Sequence, residues 1–342
     1  MSTTIYGNVY ADGHSNNSMF AIENTVHKHN PTDITRQLRD AFLAHGIEIN
    51  TPDVNAGRDI AFELHLEGRP LTQNKLPKYF VALENPNINR LNESPEYCQQ
   101  FRLVFAWDKR LYNLPNVVPI HYPHPMTFEA FPGLAQRDIF SCLINANKAF
   151  KEVLPSDLYL ERIQTIRWYE KHALNLFSLY GLGWEKSTPA FDLAGKLKRS
   201  VSRLKTRLFG IPPFPSYRGE VADKADVLRR ARFSYTYENS KGLDNYVTEK
   251  IFDSLVNGCV PVYWGADNIL DLISGNCFID RRSFADTAAV HRFLLSITAE
   301  DYAAYQRNIV NFLSSANAEK FSARRFAKVI SERVSQDMGV SP

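Results

Sequence analysis

Apolar positions along the chain recur with two periods, one helical and one extended, and the two alternate. Residues 33–45 set Ile34, Leu38, Phe42 and Leu43 at helical spacing, and Gly46 follows as a C-terminal stop. Short strand-like runs come next: 47–49, then 58–66 with Ile60, Phe62 and Leu64 alternating, then the continuous apolar run 79–83. Two further runs, LVFAW and VVPI, lie between Arg102 and Ile120. Strands alternating with helices predict a parallel sheet with crossover connections. Pro115, Pro119, Pro123, Pro125 and Pro132 then crowd a stretch that suits an irregular connection, and a domain junction is expected soon after it.

The same alternation restarts beyond the prolines. A strand is predicted over 139–144, a helix over 160–172 and a short strand over 177–180 ending at Gly181. Residues 193–208 place Leu197, Val201, Leu204 and Leu208 on one helical face, with Lys196, Lys198, Arg199, Arg203, Lys205 and Arg207 around the other. A strand over 233–237, a helix over 249–257 and a strand over 260–263 form one right-handed crossover unit. From Tyr302 onward Tyr305, Ile309 and Phe312 return to helical spacing. The expected division is residues 1–135, 136–315 and a helical tail over 316–342 that crosses back.

Composition changes this picture little. At 342 residues the chain exceeds the size at which a single core keeps growing, which agrees with two domains. With 44% hydrophobic and 23% charged residues it reads as globular rather than disordered or fibrous. A net charge of +3 does not call for a nucleic-acid partner, so any basic surface is local. Cys98, Cys142, Cys259 and Cys277 are far apart and read as buried free thiols. The N-terminal segment lacks a basic stretch followed by an apolar one, so a cytoplasmic protein is expected. The basic segment 193–208 can be a solvated face, the commonest case, a surface drawn to anionic lipid, or a nucleic-acid patch.

The candidate chemistry gathers in the segment 233–265. A strand ending at Glu238 and Asn239 delivers polar side chains to the carboxyl edge of a parallel sheet, where open α/β folds bind ligands. After a polar loop containing Gly242, Thr248 stands as a helix N-cap ahead of Glu249 and Lys250. Free N–H groups, the positive end of the helix dipole and the Lys250 ammonium suit a diphosphate, and a carboxylate such as Glu249 suits ribose hydroxyls. Alternatively, Glu249 and Lys250 are ordinary first-turn charges and Glu238 is a satisfied strand-end carboxylate. His121 and His124 have ligand-like spacing but no third ligand in view, so no metal site is expected there.

The whole segment resembles the signature of the alpha-1,3/4-fucosyltransferase family. Tyr237-Glu238-Asn239-Ser240, the loop glycine Gly242, Tyr246-Val247-Thr248-Glu249-Lys250 and Val260-Pro261-Val262-Tyr263-Trp264-Gly265 match it part by part. The resemblance implies the GT-B fold, two Rossmann-like domains facing across a cleft, with GDP-fucose as donor in the C-terminal domain and a glycan acceptor on the N-terminal side. It implies that Lys250 meets the diphosphate, that Glu249 holds the ribose, and that Asn239 and Tyr246 line the donor pocket. Thr248 joins this donor set, and Glu238 touches the fucose.

Departing GDP gains negative charge, and no acidic metal motif is evident, so a second cation is needed. The family carries an arginine on an upstream helix, which Arg162 matches by its spacing to His172; Arg167 is the rival. Inversion requires a general base; the resemblance implies one after a strand of the N-terminal domain, and Glu84, directly after 79–83, matches it. Glu93 and Asp108 are its competitors, while Asn145 and Asn147 read equally well as turn residues. The implied reaction is inverting, metal-independent transfer of L-fucose, alpha-1,3 to GlcNAc or Glc of a lipopolysaccharide-type glycan. The alternatives are a transferase for another GDP-6-deoxyhexose and a non-catalytic sugar-nucleotide or glycan-binding module.

Overall fold

A computed structural model describes residues 4–21, 31–152 and 154–340 of the chain. The chain divides into two compact units. The first comprises residues 1–126, 244–246 and 316–342, and the second residues 127–243 and 247–315. Both are built on a wholly parallel sheet.

In the first unit β1 (Ile5–Tyr10), β2 (Ile47–Asn50), β3 (Ile60–Leu66), β4 (Lys78–Ala82), β5 (Leu103–Ala106) and β6 (Val117–Pro119) pair in the order β2-β1-β3-β4-β5-β6. Helix α1 (Pro31–Leu43) leads into β2. The pattern reading leaves β1 unassigned because Gly7 and Asn8 interrupt its apolar run. Packing explains the interruption: a Cβ at Gly7 would lie 2.3 Å from the Phe62 ring, so glycine lets that ring cross the central strand. The alternation in β3 also has a second side. Glu63 and His65 are as fully buried as Phe62 and Leu64, because both faces of a parallel sheet are covered. Glu63 is satisfied there by Thr72 at 2.6 Å, Asn74 at 2.7 Å and His65 at 3.1 Å.

The second unit contains β7 (Ile139–Ile144), α2 (Leu158–His172), β8 (Phe177–Tyr180), α3 (Leu193–Phe209), α4 (Lys224–Leu228), β9 (Ala231–Tyr237), α5 (Glu249–Leu255), β10 (Val260–Trp264) and β11 (Ile279–Asp280), paired β11-β10-β9-β7-β8. Helices α6 (Thr287–Ser296) and α7 (Ala299–Leu313) follow, and α8 (Ala323–Asp337) belongs to the first unit. There Phe326, Ile330 and Val334 of α8 share a core with Leu38 and Phe42 of α1.

All four cysteines are buried free thiols, as the spacing predicts. No helix among the described residues is long and apolar enough to cross a membrane. The second unit is tied together by an unusual buried cation: Arg137 is 1% exposed. Its guanidinium donates to the carbonyls of Leu228 at 2.8 Å, Ala231 at 2.6 Å, Asn257 at 2.9 Å and Pro132 at 3.1 Å, which joins four segments. Arg137→Met keeps the volume but strands these carbonyls. The expected loss is about 3 kcal/mol or more of unfolding free energy, read from urea denaturation midpoints. A change within about 0.5 kcal/mol, the range of ordinary surface substitutions, would contradict it.

Candidate functional site

Strand β9 is buried along nearly its whole length because β7 and β10 flank it, and its polar continuation Glu238-Asn239 therefore emerges at the carboxyl edge of the second sheet. Glu238 itself is fully buried. Its carboxylate accepts the Thr248 backbone N–H at 2.9 Å and the Thr248 hydroxyl at 2.7 Å, and pairs with the Lys250 ammonium at 3.3 Å. Burial pushes the Glu238 carboxyl up, and Lys250 and the Thr248 bonds oppose the shift only in part. Thr248 does occupy the N-cap position of α5. The Thr248 hydroxyl makes no cap bond to the helix and instead holds Glu238. Glu238 has its oxygens committed inside the fold, which suits a brace for the loop rather than a contact to the sugar.

Gly265 makes the brace fit. A Cβ there would fall 2.4 Å from Glu238 Cγ and 2.4 Å from the Tyr263 hydroxyl, so the YWG sequence needs its glycine for close approach rather than for backbone freedom.

Lys250 is 14% exposed and Glu249 36%, with Nζ and the Glu249 carboxylate 3.4 Å apart. Burial would lower the Lys250 ammonium, but Glu249 and Glu238 together hold it above its ordinary value. Burial would raise Glu249, and the charges of Lys250 and Lys224 bring it below the ordinary carboxylate range. Lys224 is a member of this cluster that sequence reasoning missed. Its ammonium lies 2.5 Å from Asp253, and it lines the same hollow as Lys250, Thr236 and Asn145. No local pattern marks it, because its partner stands a helix and a strand further along the chain.

Arg162, on the buried side of α2, reaches the same strand end. It donates to the carbonyls of Tyr237 at 2.6 Å and Glu238 at 2.8 Å and to Asn239 Oδ1 at 3.1 Å, with its guanidinium over the Tyr159 ring at 4.7 Å. Its charge opposes, without reversing, the rise of the Lys250 ammonium. Arg167 turns elsewhere, to Glu170 at 2.6 Å and over the Phe214 ring at 4.1 Å. The structure thus brings Arg162, Glu238, Asn239, Thr248, Glu249 and Lys250 together in the second unit.

Glu84 and Tyr246 are found together in the first unit, away from that cluster in unit membership. Tyr246 is buried against the Trp107 ring at 4.9 Å; its hydroxyl donates to Glu84 Oε1 at 3.3 Å and accepts from Asn85 Nδ2 at 3.0 Å. Tyr246, expected to line the donor pocket, is in this structure a partner of Glu84. The competitors of Glu84 are engaged with one another through Arg110, which lies 2.6 Å from Asp108 and 3.1 Å from Glu93. His121 packs on the Phe321 ring at 4.5 Å, and burial pushes it down to about 4.

The two all-parallel sheets fit the fold type of known structures. Two such sheets occur in the GT-B fold, and the chain is similar in fold to a crystal structure of alpha1,3-fucosyltransferase with GDP-fucose at a TM-score of 0.53, covering 98% of this chain and 91% of that one at 12% identity. Sequence carries the likeness further over the C-terminal part: residues 195–323 match the model for Glycosyltransferase family 10 (fucosyltransferase) C-term. An alpha-(1,4)-fucosyltransferase of Arabidopsis thaliana is 33% identical over 94 residues, 26% of this chain and 23% of that protein. The alpha-(1,3)-fucosyltransferase FucT of Helicobacter pylori is 31% identical over 64 residues, 19% and 13% respectively. The chain spans less than a quarter of the length of these curated relatives. The family match contains Glu238 to Lys250 and excludes Arg162 and Glu84.

Proposed function

We propose that this chain is an inverting glycosyltransferase that moves L-fucose from GDP-fucose to a hydroxyl of a glycan acceptor, alpha-1,3 to GlcNAc or Glc in a lipopolysaccharide-type glycan. The observation that carries the reading is the convergence of Lys250, 14% exposed, and buried Arg162, two cations from separate elements, on Glu238 beside Glu249 at one strand end. Lys250 and Arg162 stabilise the charge that develops on departing GDP, and Glu249 accepts hydrogen bonds from the ribose. Asn239, oriented by Arg162, completes the donor side. Glu84 takes the proton of the acceptor hydroxyl as its oxygen attacks the anomeric carbon.

Incubation with GDP-fucose and a panel of galactosides and N-acetylglucosaminides, followed by mass spectrometry and linkage analysis, tests this reading. A fucosylated product is expected. Consumption of a different GDP-6-deoxyhexose would reassign the donor, and neither hydrolysis nor transfer of any donor would favour a binding module. Because side-chain cations supply the positive charge, turnover is expected to survive EDTA; complete loss restored by a divalent ion would overturn that expectation.

The same protein is proposed to work peripherally at the inner face of a membrane, through α3. Leu197, Val201, Leu204, Leu208 and Phe209 are 45–71% exposed, so these apolar side chains are left uncovered by the described residues. Six basic and no acidic residues lie within it, and the rest of the chain therefore carries +3 minus 6, or −3. An uncovered apolar face rimmed by cations suits an anionic bilayer surface better than nucleic acid, which would leave that face wet. Flotation with phosphatidylcholine vesicles containing phosphatidylglycerol is expected to carry the protein, and Leu204→Glu with Leu208→Glu to release it. Equal retention on neutral and anionic vesicles, or self-association without lipid binding, would overturn it.

A further inference from the structure

The loop that presents Glu84 is held by a side chain for which neither the motifs nor the comparisons offer a role. Glu67 directly follows β3 and is a non-glycine residue in the left-handed region, with φ 68°. Its own N–H continues the ladder to the Val81 carbonyl at 3.0 Å. From there its carboxylate reaches over the end of β4 and accepts from the Leu83 N–H at 3.2 Å and, with both oxygens, from the Glu84 N–H at 3.1 Å. Asn92 closes the other side, with its amide nitrogen donating to Glu67 at 2.5 Å and to the Glu84 carbonyl at 2.8 Å. The Asn92 oxygen accepts from the Gly68 N–H at 2.8 Å. Both polar groups of the Glu84 main chain are thereby taken up by one carboxylate and one amide.

Several features separate this clamp from an ordinary strand-end turn. A turn carboxylate usually serves its own segment, whereas Glu67 satisfies two N–H groups sixteen and seventeen residues away. Left-handed backbone at a non-glycine residue such as Glu67 is retained where surroundings over-determine it, and such positions cluster at functional sites. The preceding carbonyl is fixed as well, since Trp107 Nε1 donates to Leu83 O at 2.8 Å, and the same indole packs on Tyr246. Burial pushes the Glu67 carboxyl up, Asn92 and the loop N–H groups oppose this, and the nearby Glu84 charge adds to the rise.

We infer that Glu67, clamped by Asn92, is a positioning residue that fixes the Glu84 main chain so that its carboxylate meets Tyr246 and the acceptor in one orientation. Glu67 touches no substrate; it acts through Glu84. The inference rests on Glu84 being the base.

The test uses the full chain and measures initial rates of GDP release with acceptor, GDP affinity by calorimetric titration, and the thermal midpoint. Glu67→Gln keeps the shape but turns an amide donor toward groups that are all donors. It is expected to lower kcat by about 30- to 100-fold with GDP affinity unchanged within about twofold, the pattern of a misplaced catalytic group. A residue that served only stability would lower the thermal midpoint and leave kcat per folded molecule at the wild-type value, which would overturn the inference. The double variant Glu67→Gln/Glu84→Gln is expected to be no slower than Glu84→Gln alone, because a positioning residue loses its effect with its target. Multiplying losses would also overturn it. Near-normal turnover of Glu84→Gln by itself would instead remove the base assignment, a result that the Glu67 variant does not mimic.

Discussion

Lys250→Ala is expected to lower fucosyl transfer by about a thousandfold or more and to weaken GDP binding with it. A preorganised cation beside a departing diphosphate contributes several kcal/mol in a site from which water is largely excluded, and Lys250 is 14% exposed. The complication is Glu238, which is fully buried and loses its ion-pair partner in this variant. An uncompensated buried carboxylate is costly by itself. Lys250→Ala combined with Glu238→Gln separates the two effects, since the glutamine can still accept from Thr248. Were Lys250 only the counter-charge of Glu238, the double variant would regain activity. The donor-side role requires the double variant to stay inactive while its thermal midpoint recovers. Recovery of turnover in the double variant would end the assignment of Lys250 to the diphosphate.

Glu84→Gln is expected to remove turnover by a different route, with kcat falling about a thousandfold while GDP affinity stays near wild type. The glutamine oxygen can still accept from Tyr246 and the Asn85 N–H, as Glu84 Oε1 does at 3.3 and 2.9 Å, so the local geometry is preserved. What disappears is the capacity to accept a proton. Single-turnover rates with calorimetric GDP titration distinguish the outcomes, and near-normal turnover would reassign the base. The other carboxylates of this edge are poor replacements, because Asp108 and Glu93 are both engaged by Arg110. Arg162→Ala is expected to resemble Lys250→Ala in direction, with an added structural cost, since Arg162 also binds the carbonyls of Tyr237 and Glu238.

The amino-acid sequence by itself determined the alternation of strands and helices, since burial on a parallel sheet demands apolar runs such as 79–83 and 139–144 wherever the chain folds. It also marked the polar strand end Glu238-Asn239 and the helix start Glu249-Lys250, because those groups are near one another in the chain. Spacing to His172 distinguishes Arg162 from Arg167 only within the pattern that the resemblance supplies, since a single helix relates the three. The tertiary structure alone decided what depends on groups distant in sequence. Strand β1 is hidden in the pattern because Gly7 is chosen to admit Phe62, a ring fifty-five positions away. Glu238 looks like a free strand-end carboxylate in a linear motif, but the fold hands its oxygens to Thr248 and packs Gly265 against it. Tyr246 and Lys224 find partners in Glu84 and Asp253 that no periodicity predicts. The physical reason is common to all of them. Local patterning follows from the hydrophobic effect acting along one element, whereas the satisfaction of a buried polar group is set by whichever chain segment the fold brings to it.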